Sequence, residues 1–435
     1  MNARAVALVV AALLAFGCRG LHASTPTTPD DASRQVLLML RAPAQHVRPD
    51  AGYTGDYGQA PGHAARARIA RRLAKANGLS LRTDWPMPAL GLDCYVLEAR
   101  DASAVAPAVA ALARDPRVES VQAMQAFETL SDAASDTARP TPADPLAAAQ
   151  PARAAWQLDA LHATTTGRGV TVAVIDSGIA DAHPDLRGQI AAHRDFVDTD
   201  AARVVPERHG TAVAGLIAAR AGNRIGIAGV APDAKLLALR ACWQRGGSQA
   251  TSGDRAQCNT FTLAKALQFA IDRRAQVVNM SLGGPPDVLL SRLLAVAMQR
   301  GATVVAAVDP QSRAGGFPAS VPGVVAVSGD TRALPFVAYL APASELPTTT
   351  VDGGWGLVTG TSFAAAEVSG LVALLRQVAP RLPSARVHDA LGAAPALGST
   401  ATRPLSIDAC AAVTRAGSGC ACGCRLADSQ ETPRH

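Results

Sequence analysis

The stretch V-T-V-A-V-I-D-S-G-I, Val170 to Ile179, decides the fold. Its first six residues are almost all β-branched and show no apolar–polar alternation, so they read as a strand buried on both faces. Asp176 closes the run, and Gly178 follows in a sharp turn. Runs of the same kind return as A-K-L-L-A-L, A-Q-V-V-N-M, A-T-V-V-A-A and G-V-V-A-V-S, separated by alanine-rich helical stretches. That alternation predicts an α/β domain, a mostly parallel sheet with helices on both faces.

With 435 residues, 49% hydrophobic and 17% charged, the chain is long and apolar enough for one large domain and a smaller one. The smaller one precedes the linker, over residues 35–130. Q-V-L-L-M-L from Gln35 reads as a strand, A-R-A-R-I-A-R-R-L-A-K-A as a basic helix, C-Y-V-L-E-A as a strand, then an alanine-rich helix and V-E-S-V-Q-A from Val118. This β-α-β-α-β order predicts a small α+β, ferredoxin-like domain. Residues 131–150 are rich in Ala, Asp, Pro, Thr and Ser and read as an exposed, cleavable linker. The large domain is expected over 151–398 and a cysteine-containing tail over 399–435.

The first residues explain the cysteines. Arg4 is followed by A-V-A-L-V-V-A-A-L-L-A-F, an apolar core of signal-peptide length and too short for a bilayer span. Residues 1–23 are therefore read as an export signal ending at Leu21-His22-Ala23. The alternative is a lipoprotein signal ending before Cys18, although Ala15 and Phe16 depart from the usual motif. Either way the protein is expected outside the cytoplasm: secreted, periplasmic or lipid-anchored. Cysteines in such a chain are bridges before they are metal ligands. Cys242 and Cys258 bracket a polar insert and form the natural pair, Cys410, Cys420, Cys422 and Cys424 have no defined pairing, and Cys94 is left over. The C-x-C-x-C run is also a soft-metal pattern, but no histidine stands near it before His435, and no metal is assigned. The net charge of +6 comes from scattered arginines, with Lys75, Lys235 and Lys265 the only lysines. Arg66, Arg68, Arg71 and Arg72 read as a solvated helix face, and no nucleic-acid partner is expected.

Three polar side chains stand at element ends beside glycine. They are Asp176 after its strand, His209 in H-G-T-A-V-A-G-L-I-A-A, and Ser362 in G-T-S-F-A-A-A-E-V-S-G-L. Each alone is an ordinary turn, cap or helix-start residue. Together, in the order Asp, His, Ser, they match the order in subtilisin. From about Asp144 to Gly392 the chain resembles the subtilisin-family serine peptidases (subtilases), through V-I-D-S-G-I, H-G-T-A-V-A-G, G-I-A-G-V-A-P, V-V-N-M-S-L-G-G, F-P-A-S and G-T-S-F-A-A-A. The resemblance implies a serine endopeptidase: Ser362 as nucleophile, His209 as general base, and Asp176 holding the imidazole. It also implies that Ser281, Leu282 and Gly283 form an edge along which a polypeptide substrate lies as an added strand. The leading domain resembles the subtilisin propeptide, an intramolecular inhibitor removed by a cut in the linker. No cofactor is required for this chemistry. Family members often carry structural calcium, but no carboxylate cluster here is dense enough to assign a site.

One place departs from the family. At the end of the strand that begins T-V-V-A-A, where members read A-A-G-N, this chain reads A-V-D-P, Ala307 to Pro310, followed by Gln311. The asparagine amide that binds the developing oxyanion falls on Pro310, or on Asp309 with a one-residue shift. Proline has no N–H, and an ionised aspartate repels the charge. Gln311, with its longer amide arm, or a protonated Asp309 is the candidate substitute. Ala366 and Glu367 replace the usual Pro-His after the serine motif, and Ala212 replaces the second histidine of H-G-T-H. Two readings follow: a self-processing endopeptidase, or a catalytically weakened peptide-binding protein on the same fold.

Overall fold

The apolar runs become the central layer of the molecule. The computed structural model describes residues 32–41, 62–131, 144–198, 205–244, 255–392, 402–417 and 422, so the export signal, Cys18, Cys420 and Cys424 lie outside the described residues. The large domain holds an eight-stranded sheet in the order β18-β15-β14-β13-β11-β6-β8-β7, and every neighbouring pair is parallel. The strands are β6 (Thr171–Asp176), β7 (Ile190–Asp195), β8 (Lys235–Arg240), β11 (Val277–Met280), β13 (Thr303–Ala307), β14 (Val325–Ser328), β15 (Ala338–Leu340) and β18 (Leu405–Ser406), while β16 (Leu346–Thr349) and β17 (Trp355–Val358) pair antiparallel in a sheet of their own. Their alternate residues feed two cores, which is why the runs are apolar throughout. Val172, Val174, Leu236 and Val305 pack under α3 (Arg208–Ala218) and α6 (Thr361–Val378). Ala173, Ile175, Leu239 and Val304 pack under α4 (Thr260–Asp272) and α5 (Val288–Gln299). This is the α/β architecture expected.

The leading domain is a four-stranded antiparallel sheet, β2-β3-β1-β4, from β1 (Gln35–Arg41), β2 (Leu79–Met87), β3 (Leu92–Ala99) and β4 (Val118–Ala123), with α1 (His63–Ala76) and α2 (Val105–Leu112). Strand β2 corrects the β-α-β-α-β expectation. Its residues L-S-L-R-T-D-W-P-M carry a polar run, Arg82-Thr83-Asp84, because it is an edge strand, and Pro86 is tolerated there. Val36, Leu38, Tyr95 and Leu97 face the two helices. Leu37, Met39, Cys94 and Val96 join the core made by α4 and α5, so the sheet is buried on both sides and clamped to the large domain.

Two boundaries also move. Residues 144–150 of the expected linker pack against the large domain, where the Gln150 amide donates to Ala228 O (2.9 Å). Part of the expected tail belongs to the large domain too: β18 extends the main sheet, and α8 (Ala409–Ala416), which follows α7 (Ser384–Leu391), buries Ala412 and Val413. A run as short as Leu405–Ser406 has no strand periodicity to detect. A disulfide joins Cys410 to Cys422, another joins Cys242 to Cys258, and Cys94 is buried and free. Among the described residues no helix is long and apolar enough to cross a membrane.

Candidate active site

In an open parallel sheet, side chains at the carboxyl ends of the strands gather where strand order reverses. Strand β6 lies at that point, with β8 on one side and β11 on the other. Asp176, its last residue, is fully buried; Oδ1 accepts the Ser177 N–H (2.7 Å) and lies 2.7 Å from His209 Nδ1. A single buried carboxylate fixes the two chain segments involved. Glu207 accepts from Gly178 N (2.6 Å) and Gln244 N (2.9 Å) and pairs with Arg240, which also reaches Asp195 (2.9 Å). The turn after Asp176 and the entrance to α3 are thereby tied together. Glycine permits the approach, since a Cβ on Gly210 would fall 2.3 Å from Ser177 O. His209 Nε2 is buried with no hydrogen-bond partner, and the imidazole lies 5.3 Å from the ring of Phe363.

Ser362 is in the first turn of α6, after Gly360 at φ 145°. It is fully buried, and Oγ donates to Ser281 O (2.8 Å) and accepts from Leu130 N (2.9 Å), so neither of these bonds goes to His209. The Ser362 N–H donates to Leu130 O (3.1 Å). Behind it, Ser281 Oγ donates to Ser362 O (2.7 Å) and accepts from Asn279 Nδ2 (3.0 Å), and Ser369 Oγ donates to Asn279 Oδ1 (2.9 Å). The structure thus brings Asp176 to His209, and Ser362 to Ser281 and Leu130.

Leu130 belongs to a segment whose role was not legible beforehand. Strand β5 (Ala126–Thr129) leaves the leading domain and becomes an inner strand of a second sheet, β12-β5-β10-β9, with β9 (Cys242–Trp243), β10 (Gln257–Asn259) and β12 (Leu282–Gly283). It pairs antiparallel with both neighbours, Thr129 opposite Leu282 and Phe127 opposite Cys258. Thr129 N also donates to Ala256 O (2.9 Å). The edge expected at Ser281–Gly283 is therefore occupied by the protein's own chain. The alternation A-F-E-T-L just before the linker was the available sign.

The Peptidase_S8 profile, that of the subtilase family, matches residues 167–401, more than half of the sequence. The chain belongs to the subtilase family. Over 223 residues it is 36% identical to the thermophilic serine proteinase of Bacillus sp. (strain AK1), covering 49% of this chain and 53% of that protein. Over 249 residues it is 34% identical to subtilisin E of Bacillus subtilis (strain 168), covering 53% and 62%, and 33% identical to the subtilisin of Bacillus pumilus, covering 53% and 86%. It thus spans little more than half the length of the first of these relatives. Fervidolysin from Fervidobacterium pennivorans, a keratinolytic enzyme related to subtilisin, shares the fold at a TM-score of 0.62 and 20% identity, covering 88% of this chain and 61% of that one. A protease from Pseudoalteromonas arctica aligns at a TM-score of 0.52 and 25% identity, covering 64% and 100%.

In this subtilase, no side-chain amide reaches the Leu130 carbonyl among the described residues. Asp309 Oδ1 accepts the Gln311 N–H (2.8 Å), and the Asp309 N–H donates to Gly315 O (2.9 Å). The Gln311 side chain is exposed, and the Pro310 carbonyl is held by Arg332 (2.6 Å). Glu367, at the position of the usual histidine, is buried in α6 with Oε2 unpartnered, and burial alone raises its carboxyl pKa well above the ordinary value. The subtilase shows no group of three or more His, Cys, Asp or Glu suited to a metal among its described residues.

Proposed function

We propose that this subtilase is an exported serine endopeptidase that cuts its own chain between Leu130 and Ser131, with Leu130 docked at the point of the cut. The observation that carries this reading is the paired contact of Leu130 with Ser362: amide to Oγ, carbonyl to the Ser362 N–H. An acyl-transfer site needs a fixed donor at the oxygen of the carbonyl under attack, and the Ser362 N–H is such a donor at Leu130 O. Before the cut, Ser362 attacks the Leu130 carbonyl; His209, oriented by Asp176, takes the hydroxyl proton and gives it to the leaving amine of Ser131, and a water molecule deprotonated by His209 then hydrolyses the Leu130–Ser362 ester to free the Leu130 carboxylate and the serine hydroxyl. The free Nε2 of His209 is the acceptor this step requires. The leading domain, buried against α4 and α5, then acts as the inhibitor, since its last residues fill the groove. Other polypeptides bind along the same edge once it leaves. Disulfides at Cys242–Cys258 and Cys410–Cys422 support an oxidising compartment, secreted, periplasmic or tethered through a lipid at Cys18.

The test is the mass and N-terminal sequence of exported protein. A chain beginning at Ser131 is expected for the natural sequence and none for Ser362→Ala; the same fragment from both would remove the claim. A second reading is favoured by the absent side-chain donor at the Leu130 carbonyl: a peptide-binding protein with little turnover. A fluorophosphonate probe separates the two, because labelling of Ser362 requires an activated hydroxyl.

A further inference from the structure

We infer that Asp309 is a specificity-determining residue, a wedge closing the pocket that receives the side chain before the scissile bond, so that the pocket takes leucine-sized aliphatic groups and rejects aromatic rings. The inference rests on the proposed substrate-like docking of Leu130. The Leu130 side chain is buried. A Cβ placed on Gly283 would lie 3.1 and 3.2 Å from its two methyls and 3.4 Å from the Cβ of Asp309, so leucine and aspartate border one point of the same wall. From the far side, a Cβ on Gly316, whose φ is 72°, would fall 2.8 Å from the Asp309 Cβ. Asp309 is thus wedged between two glycine backbones.

Its position is over-determined. The backbone N–H is held by Gly315 O, Oδ1 by the Gln311 N–H, and the Asp309 carbonyl by Arg332 (3.3 Å). Swinging the wedge aside to admit a larger group breaks those bonds or moves Gly316, because packed walls yield little. A pocket that cannot open discriminates by volume, and the discrimination passes directly to the ratio of kcat/KM values. The same departure that removes an amide from the oxyanion region therefore also adds a side chain to the neighbouring pocket.

The experiment has two arms. In the processed enzyme, tetrapeptide anilides ending in Leu or Phe are compared; Asp309→Gly is expected to raise the Phe-to-Leu ratio of kcat/KM by about tenfold or more, and an unchanged ratio overturns the inference. The other arm needs no catalysis. In full-length Ser362→Ala protein, hydrogen exchange of the Thr129 amide reports docking of the tail, with the Val304 and Val305 amides as the control for folding. Leu130→Phe is expected to speed that exchange by about tenfold where Asp309 is present and far less in Asp309→Gly. Equal acceleration in both backgrounds overturns the wedge. Absent turnover together with the expected exchange pattern overturns the peptidase reading and leaves the pocket standing.

Discussion

The Ser362 N–H lies 3.1 Å from the carbonyl oxygen of Leu130, while Ser362 Oγ accepts the Leu130 N–H at 2.9 Å, across 232 residues of sequence. One residue of the large domain thereby grips both polar groups of one residue at the end of the leading domain. In the proposed cleavage, a peptide held this way already has its carbonyl oxygen on a backbone donor. The Ser362 hydroxyl, bonded to Ser281 O, then has to turn to His209 to be activated.

With the Ser362 N–H as the donor at the carbonyl, turnover should be limited by charge stabilisation. Pro310→Asn is expected to raise kcat on peptide substrates, up to the roughly 10²–10³ that one oxyanion donor contributes. Steady-state kinetics at saturating substrate checks it. A variant no faster than the natural protein would mean that residue 310 does not face the developing charge.

Glu367 gives a pH signature. Its folded pKa is raised by burial, so the folded state keeps the proton at pH values where the unfolded chain has lost it. Stability is undiminished below about pH 4.3, the unfolded value, and falls as pH rises toward the folded value. Glu367→Gln cannot ionise and is expected to gain about 1–3 kcal/mol at pH 8 and little at pH 4. Urea unfolding at the two pH values decides it, and equal gains would exclude ionisation as the cause.

Lys265 works in the opposite direction. Its ammonium lies 4.7 Å from the ring of Phe261, 5.9 Å from Phe196 and 5.5 Å from Trp85 of the leading domain, and burial lowers its pKa to about 8. A depressed lysine costs stability below that value and the cost fades between it and about pH 10.4, the unfolded value. The thermal midpoint of full-length Ser362→Ala protein should gain from this group between pH 8 and pH 10. Lys265→Met should remove that gain; a slope unchanged in the variant would point to other groups.

The Cys242–Cys258 bond, with a sequence separation of 16, joins β9 to β10, the strand that flanks the docked tail. Replacing both cysteines by serine is expected to cost about 2–4 kcal/mol, read as a lower thermal midpoint. Because β10 walls the groove, Thr129 amide exchange should also quicken. Stability lost with unchanged exchange would separate the staple from the groove.

Legibility differed from element to element. The runs ending at Asp176, Met280 and Ala307 were visible because a strand covered on both faces must be apolar at every position. The edge strand Leu79–Met87 was not, since solvent on one side lets Arg82, Thr83 and Asp84 hide its period, and β18 is too short to have one. In the site, Asp176 and His209 were legible as strand-end and helix-start residues beside glycine. The destination of the Ser362 hydroxyl was not, because a rotamer is chosen by neighbours that the local letters do not name.

By itself, then, the order of residues determined the layered α/β domain and the small domain before it, because burial periodicity and turn chemistry are local properties of the chain, and its resemblance to subtilases singled out Asp176, His209 and Ser362. Tertiary structure alone decided that Ala126–Leu130 lies in the groove, that Ser362 holds Leu130, and that Asp309 is wedged between Gly283 and Gly316. Apart from that of Asp309 with Gly316, those are contacts between segments far apart in sequence. They are selected by the shape left over when two cores close, and no window of neighbouring residues encodes that shape.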